Sequence, residues 1–180
     1  MSAWLSEAKK VDTALYAAVA GTETPVLDDA MRKLSRAADH GKLWLGTAAT
    51  LALFGGTGGR RAAKSGLVSL ALASGFANLV GKPLTTRRRP DLEEVAVLAS
   101  RQVPMPKTSS FPSGHTASAF AFATGAGRAQ PALSAPLRAL AAVVGYSRVH
   151  TGVHYPADVL VGAFIGVTAA EVAGRLLERR

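Results

Sequence analysis

Two segments near the N-terminus carry apolar residues at the spacing of amphipathic helices. Residues 3–20 place an apolar stripe on one face and two lysines on another, which predicts a helix. This stripe fits either a membrane interface or the surface of a soluble protein. A second helix is predicted from Thr24 and Pro25 onward, because threonine is a suitable N-cap and proline is tolerated in the first turn. The apolar stripe of the first helix comprises Trp4, Ala8, Val11, Leu15 and Val19.

Five further apolar segments predict the core helices of an all-α protein. Residues 43–59 and 65–81 are each 17 residues long and carry no charge. Each falls just short of the ~20 apolar residues that span a bilayer, and flanking lysines that reach the membrane surface make up the difference. Their Gly, Ala and Ser content suits close helix packing in lipid, although buried helices of a soluble bundle share this pattern. The other three segments lie at about 114–128, 134–148 and 157–176.

These segments fit one domain over residues 1–180, which we predict to be an integral membrane helical bundle. Amphipathic helices would occupy residues 1–40 and the membrane core residues 41–180. Residues 82–113 form a long connection rich in charge and proline, and loops of this length are usually functional or disordered. We therefore expect a functional site built from this loop and from loop 147–158.

Composition adds a charge signal to the helical pattern. The chain has 180 residues, with 21 Lys and Arg against 12 Asp and Glu, which gives a net charge of +9. A basic balance favours anionic partners, although basic residues that flank membrane helices account for the charge as readily. There are no cysteines, so disulfides and thiolate metal sites are excluded. The first ten residues lack the apolar run of a secretory signal, which makes an exported soluble enzyme the less favoured class.

Residues 111–115, Phe-Pro-Ser-Gly-His, predict a turn followed by the start of a helix. Ser113 is a good N-cap, and Gly114 allows another group to approach closely. Free amides at the helix N-terminus would face the same point as a hydroxyl and the imidazole of His115, and this arrangement suits a phosphate. A motif this short gains its value from the two stretches that flank it.

Three motifs, taken together and in this order, resemble a known family. They read Lys82-x6-Arg89-Pro90, Pro112-Ser113-Gly114-His115 and Ser147-Arg148-x5-His154-x3-Asp158. This set is similar to that of the type-2 phosphatidic acid phosphatase superfamily, which includes lipid phosphate phosphatases, bacterial class A acid phosphatases and vanadium haloperoxidases. The resemblance implies a helical phosphatase that needs no metal or other cofactor, since fixed cations replace the metal.

His154 and Asp158 form a candidate catalytic pair. Their spacing of four, with Pro156 in a first helical turn, puts both side chains near one face. A carboxylate that accepts one imidazole N–H leaves the other nitrogen free as a nucleophile or base. An isolated pair of this kind is more often a helix cap, but the three-motif set reverses that preference. The resemblance implies that His154 attacks phosphorus to form a phosphohistidine and that Asp158 orients it.

The resemblance also gives roles to the remaining motif residues. His115 would act as the general acid, because a departing alkoxide needs a proton. Ser113, with the amides of Gly114 and His115, would bind phosphoryl oxygens, unless Ser113 is a plain N-cap. Three cations would stabilise the charge on the equatorial oxygens of the transition state, and arginine's planar fork suits such contacts. These phosphate-binding cations are Lys82, Arg89 and Arg148.

The other basic and histidine residues are expected to have simpler roles. Arg87 and Arg88 are predicted to be solvated or to face headgroups, and His40 and His150 are assigned no role. No histidine or carboxylate has the spacing of a metal site, so none is predicted. The basic triplet lacks interleaved aromatic residues, which argues against a nucleic-acid partner.

We therefore predict a multi-pass phosphatase of a bacterial inner membrane that hydrolyses a lipid phosphomonoester or pyrophosphate. The expected partners are the lipid phosphate and membrane lipids. A polyprenyl phosphate is favoured, with phosphatidic acid and phosphatidylglycerol phosphate as other substrates. One alternative is a vanadium-dependent haloperoxidase-like enzyme, because vanadate mimics phosphate in the same cage. Another is a non-catalytic basic membrane protein that binds anionic lipid, although simple binding would not require two histidines and an orienting acid.

Overall fold

The computed structural model describes residues 3–92 and 99–178, and over these residues the protein is helical without strands. The prediction of an all-α fold, with five core helices after two N-terminal ones, is confirmed. Short helical turns cover Asp39–Gly41, Ala77–Gly81, Ala99–Arg101 and Pro131–Leu133. The main helices are α1 (Ala3–Gly21), α2 (Pro25–Ala37), α3 (Lys42–Phe54), α4 (Gly56–Phe76), α5 (Gly114–Ala129), α6 (Ser134–His150) and α7 (Pro156–Glu178).

The boundary between α3 and α4 differs from the predicted one. The uncharged run at 43–59 suggested one helix, but α3 ends at Phe54 and α4 begins at Gly56. Gly56 has a φ of +60°, which glycine adopts more readily than other residues. A Cβ at Gly59 would lie 2.3 Å from the carbonyl oxygen of Leu51, so this tight turn requires glycine. The basic residues that follow therefore lie inside α4 and do not separate two helices.

Helix α5 occupies the centre of the bundle and is built largely from small buried residues. Its Phe122 is fully buried against Trp44 of α3, with the ring centroids 5.3 Å apart. Helix α7 packs on α5 through glycines at backbone distance. A Cβ at Gly162 would lie 2.6 Å from the Ser113 carbonyl oxygen, and one at Gly166 would lie 2.4 Å from that of Ala117.

The order of these contacts fixes the direction of the helices. Gly162 and Gly166 meet residues that also advance by four along α5, so α5 and α7 run parallel. Helix α4 runs the other way, because its C-terminal end lies near the start of α5: a Cβ at Gly114 would lie 3.8 Å from the Lys82 ammonium. The motif residues at the ends of these helices are thereby brought to one end of the bundle, which we call the site end.

Helix α1 packs with the face next to its predicted apolar stripe, and Val19 of the stripe is partly buried against that face. Its buried residues are Asp12, Tyr16 and Ala20, while Trp4 and Leu15 of the stripe are 66% and 54% exposed. Most of the stripe is therefore exposed, and its position in a membrane interface or on a soluble surface stays a prediction.

A buried polar network holds the N-terminal helices against α6. Arg101 is fully buried, lies 2.8 Å from the Asp28 carboxylate, and donates to the carbonyl oxygens of Val19 and Ala20. The same Asp28 oxygen lies 2.9 Å from Nε2 of His150. His150, to which no role was assigned, is thus buried and hydrogen-bonded within this network.

Two helices in the described part of the chain are long and apolar enough to cross a membrane. They are Gly56–Gly81, with 26 residues, and Pro156–Glu178, with 23 residues. Large apolar side chains point outward from both, including Leu79 at 79% and Phe164 at 72% exposure. Exposed apolar surface of this kind marks a protein that associates with lipid or another apolar partner.

Candidate active site

His154 and Asp158 lie together in the interior of the site end, and both are almost completely buried. Nδ1 of His154 lies 3.5 Å from Oδ2 of Asp158, and no nearer hydrogen-bond partner exists within residues 3–92 and 99–178. The carboxylate is itself fixed, since Oδ2 accepts from the Tyr155 amide at 2.9 Å and Oδ1 from Arg87 at 2.8 Å. The predicted pairing of imidazole and carboxylate is thus present, at a distance longer than that of a typical hydrogen bond.

The other nitrogen of His154 lies beside Arg89. Its Nε2 lies 3.3 Å from Nη1 of Arg89. Burial lowers the pKa of His154 to about 4, and the positive charges of Arg89 and Arg148 act in the same direction. The ring is therefore neutral at pH 7. With the Nδ1 proton directed at Asp158, the lone pair on Nε2 is available for nucleophilic attack.

Arg89 is held in place by backbone carbonyl groups. Nη1 donates to the oxygen of Val153 at 2.7 Å, Nε to that of Thr108 at 3.0 Å and Nη2 to that of Ser109 at 3.1 Å. These contacts join the long loop to the segment that carries His154. The guanidinium is thus positioned before any substrate arrives, which is the condition for effective electrostatic stabilisation of a transition state.

Arg148 and Lys82 complete the group of three cations. Arg148 is buried and donates to the hydroxyl of Ser35, a residue of α2. Lys82 donates to Oδ1 of Asn78 at 2.7 Å. Burial lowers the pKa of Lys82, and the positive charges of Arg89 and Arg148 lower it further. The binding of an anion by these three cations stays a prediction.

Ser113 acts as the N-cap of α5. Its buried hydroxyl oxygen accepts from the Thr116 hydroxyl at 2.9 Å and from the Thr116 amide at 3.4 Å. The simpler of the two readings of Ser113 is therefore present in the structure, and its contact with a phosphoryl oxygen stays a prediction. The next two residues, Gly114 and His115, occupy the first turn, where backbone amides have no partner within the helix.

His115 has a carboxylate partner that the motifs did not indicate. Its Nε2 lies 2.8 Å from Oδ1 of Asp39, which stands in the turn between α2 and α3. This hydrogen bond lowers the pKa of Asp39. The same oxygen lies 3.7 Å from Arg148, so Asp39 connects the predicted acid to one of the cations. Asp39 precedes His115 by 76 residues, and no spacing rule in the sequence links them.

The prediction that Arg87 is solvated or faces headgroups is wrong. Arg87 forms ion pairs with both Asp158 and Asp12, and its guanidinium lies 4.3 Å above the ring of Tyr155. Asp12 also accepts from the amide of Ala157 at 2.8 Å. Burial of the two carboxylates explains the difference, because each needs a cationic partner in that position. The neighbouring Arg88 is exposed, as expected.

A cavity of about 230 Å³ opens beside His115. It extends between the start of α5, the last turns of α4 and the turn before α3. The side chain of His40, to which no role was assigned, contributes to its wall. The lining residues are Ala38, His40, Gly41, Leu70, Ser74, Asn78, Lys82, Gly114, His115 and Ser118.

Histidine and carboxylate residues do not form a metal cluster anywhere in the described ranges, where no group of three or more could hold an ion. The side chains around His154 are instead cations and one carboxylate. The absence of a metal requirement stays a prediction, which activity in the presence of a chelator would test.

The sequence and the fold both match those of characterised phosphatases. The profile of the PAP2 superfamily matches residues 63–180. Decaprenylphosphoryl-5-phosphoribose phosphatase of Mycobacterium tuberculosis is 37% identical over 148 residues, which cover 78% of this chain and 75% of that protein. The enzyme of the same name from Mycolicibacterium smegmatis is 35% identical over 153 residues, covering 83% and 77%.

Two solved structures share the fold. LpxE of Aquifex aeolicus superposes with a TM-score of 0.71 at 24% identity, over 91% of this chain and 94% of that one. The first transmembrane PAP2-type phosphatidylglycerolphosphate phosphatase from Bacillus subtilis superposes with a TM-score of 0.72 at 21% identity, over 96% and 87%. At these identities the likeness concerns the arrangement of helices.

Proposed function

The chain belongs to the PAP2 superfamily, and from this we propose that it is a membrane phosphatase that hydrolyses a phosphomonoester on a polyprenyl-linked lipid. One observation carries the proposal: the neutral, buried imidazole of His154 presents Nε2 to the guanidinium of Arg89, which backbone carbonyl groups hold in place. Such an arrangement combines an activated nucleophile with a binding site for the phosphoryl group that it attacks. The relatives named for decaprenylphosphoryl-5-phosphoribose favour a polyprenyl substrate over phosphatidic acid or phosphatidylglycerol phosphate.

The first half of the proposed reaction forms a covalent intermediate. The lone pair on Nε2 of His154 attacks phosphorus, and the bond between phosphorus and the oxygen of the leaving alcohol breaks. His115 gives a proton to that oxygen, so the lipid departs as a neutral alcohol. The three cations stabilise the charge on the equatorial oxygens, and Arg89 exchanges its contact with Nε2 for one with the phosphoryl group.

The second half regenerates the enzyme. Water attacks the phosphohistidine, and His115, now neutral, accepts a proton from the water as the bond between phosphorus and Nε2 breaks. Asp158 stabilises the positive charge that His154 carries while phosphorylated. The balance is one phosphomonoester and one water converted to one alcohol and one inorganic phosphate. Asp39 would support His115 in both proton transfers.

We place the core helices α3–α7 in a bacterial inner membrane as a multi-pass bundle, with the site end at the membrane–water boundary. The two long helices and their exposed apolar side chains support this placement. The exposed stripe of α1 would then lie in the interface beside the site end, because Asp12 of the same helix contacts Ala157 at the start of α7.

Phosphate release by the purified protein in detergent tests the proposal. We expect a polyprenyl phosphate to be hydrolysed faster than phosphatidic acid, with competitive inhibition by vanadate and no loss of activity in EDTA. Vanadate should compete because it occupies the position of the phosphoryl group among the cations. Complete loss of activity in EDTA, restored by a divalent ion, would contradict the proposed mechanism. Vanadate-dependent oxidation of halide by peroxide, without phosphate release, would favour the haloperoxidase reading.

A second prediction concerns Arg87, which touches Asp158 and not the substrate. Arg87→Ala should lower kcat by about 10- to 100-fold with a smaller change in KM, because Asp158 loses the partner that fixes it relative to His154. Arg88→Ala, a change of the same size at the exposed neighbouring position, serves as the control and should leave kcat within about twofold. Equal effects of the two substitutions would show that Arg87 acts only through general surface charge.

A further inference from the structure

Asp12 of α1 is a buried carboxylate that belongs to none of the three motifs. Its side chain is 7% exposed, and both of its oxygens are engaged. Oδ1 accepts from the amide of Ala157 at 2.8 Å, and Oδ2 forms an ion pair with Arg87. A carboxylate is stable in a buried position only where such partners compensate for the loss of water. Asp12 is therefore fixed on two sides at the site end.

The contact with Ala157 joins Asp12 to the start of α7. Ala157 is the second residue of this helix, and the amides of a first helical turn have no partner within the helix. A negative charge at this position is also favoured by the helix dipole. Asp12 thus supplies, from another helix, the acceptor that the start of α7 lacks. The next residue along α7 is Asp158, the carboxylate that faces His154.

Arg87 connects the side chain of Asp12 to that of Asp158. One guanidinium nitrogen lies 2.8 Å from Oδ1 of Asp158, and the other pairs with Asp12. Because a guanidinium is planar and rigid, a carboxylate held at one nitrogen restricts the position of a carboxylate held at the other. The contacts form a closed ring that runs from Asp12 through Ala157, Asp158 and Arg87 back to Asp12.

A second side chain of α1 meets the same segment. Tyr16 lies four residues after Asp12, on the same face of α1, and is fully buried. Its ring meets that of Tyr155 edge-on, with the centroids 5.3 Å apart. Tyr155 follows His154 directly, and its amide donates to Oδ2 of Asp158 at 2.9 Å. Helix α1 therefore contacts the segment that carries the nucleophile at two points.

We propose that Asp12 is a positioning residue for the phosphatase reaction, which acts on Asp158 through Arg87. With Asp12 in place, the guanidinium is held between two carboxylates and cannot turn away from Asp158. Asp158 in turn holds the tautomer and orientation of His154. Helix α1 is in this sense a part of the active site. The inference rests on the proposed function.

Asp12→Asn tests the role of the carboxylate at nearly unchanged size. The amide nitrogen cannot accept a hydrogen bond, so one of the two contacts of Asp12 is lost. We expect kcat for a polyprenyl phosphate, measured on the purified full-length protein in detergent, to fall about 10-fold. KM and the inhibition constant of vanadate should stay within about threefold, because other residues hold the three phosphate-binding cations.

Glu7→Gln provides the matched control. It makes the same exchange of carboxylate for amide on the same helix, at an exposed position. We expect it to leave kcat within about twofold. A fall in kcat equal to that of Asp12→Asn would show that the effect comes from the charge of α1 and would refute the positioning role.

A double variant tests whether Asp12 acts through Arg87. In Arg87→Ala, Asp12 stays buried without its cation, so adding Asp12→Asn removes an uncompensated charge. The kcat of the double variant should therefore equal or exceed that of Arg87→Ala. A residue that only stabilises the fold would lower the activity by its own factor in both backgrounds. If Asp12→Asn alone does not fold, the double variant compared with Arg87→Ala decides the same question.

The outcomes separate this inference from the proposed function. If the wild type hydrolyses the lipid phosphate but Asp12→Asn keeps kcat within twofold, the function stands and the positioning role is refuted. Losses that multiply in the double variant would refute it as well. If the wild type hydrolyses no lipid phosphate, the proposed function fails and this inference fails with it.

Discussion

Replacement of His154 by alanine is expected to abolish turnover of every phosphate ester that the protein accepts. Without Nε2 no covalent intermediate forms, and the remaining cations can only bind the substrate. We expect kcat to fall by at least about 10⁴-fold, as in enzymes that lose a covalent nucleophile. The loss should be the same for an activated aryl phosphate and for a lipid phosphate, because both must pass through the phosphohistidine.

Two measurements test whether the lost activity reflects the missing nucleophile or unfolding of the variant. Retention of vanadate binding by the His154→Ala protein would show that the cation group is intact, so that the lost activity reflects chemistry and not unfolding. Asp158→Asn should be intermediate, because it keeps the nucleophile and weakens control of its tautomer. Substantial turnover by His154→Ala would overturn the mechanism as a whole.

Replacement of His115 by alanine is expected to have an effect that depends on the leaving group. A lipid alkoxide is a poor leaving group and needs the proton, so kcat/KM for a lipid phosphate should fall by about 10²- to 10⁴-fold. A nitrophenolate departs without protonation, so nitrophenyl phosphate should be spared most of that loss. The measurement is kcat/KM of the variant and the wild type on both substrates.

Asp39→Asn provides the companion variant to His115→Ala. It keeps the imidazole but replaces the carboxylate that lies 2.8 Å from it. The kcat/KM values for both substrates should therefore fall as in His115→Ala, but by a smaller factor. Equal losses on both substrates in His115→Ala would contradict the general-acid role. They would instead indicate that His115 binds the phosphoryl group.

The motif residues could be named from the sequence because three short stretches, in order, resemble those of a known family. His154 and Asp158 lie four residues apart across the start of α7, and Ser113 and His115 lie across the start of α5. Helix-start preferences alone favoured plain caps at both positions, and the resemblance of the three motifs to a known family is what singled these residues out. The structure brings these starts together with the three cations, although the sequence alone does not specify how the helices pack.

The supporting carboxylates could not be predicted in this way. Asp12, Asp28 and Asp39 belong to the N-terminal segment and meet their partners across long sequence separations. Each resembles an ordinary surface residue in the pattern, and only the tertiary contacts show that the first two are buried. The wrong prediction for Arg87 has the same cause. A run of charged residues is expected to be exposed, and the sequence does not show the carboxylates that Arg87 contacts.

The α3–α4 boundary shows a different limit. The absence of charged residues predicted one helix through residues 43–59. The length and polarity of a segment do not show where a turn interrupts it. The decisive feature is the positive φ of Gly56, and a run of four glycines and a threonine does not reveal which of them adopts it. Helix termini are the least predictable part of such a reading.

The parallel packing of α5 and α7 has a mechanical consequence for the two histidines. One helix begins beside the acid and the other beside the nucleophile, and Gly162 and Gly166 bring the two backbones into contact. These contacts therefore fix the distance between the two helices, because their backbones touch with no side chain between them. A single methyl group added at Gly162 would force the helices apart at that point, and the gap between nucleophile and acid would widen with them. In the proposed mechanism, the distance between nucleophile and acid is thus set by two glycines that contact neither histidine.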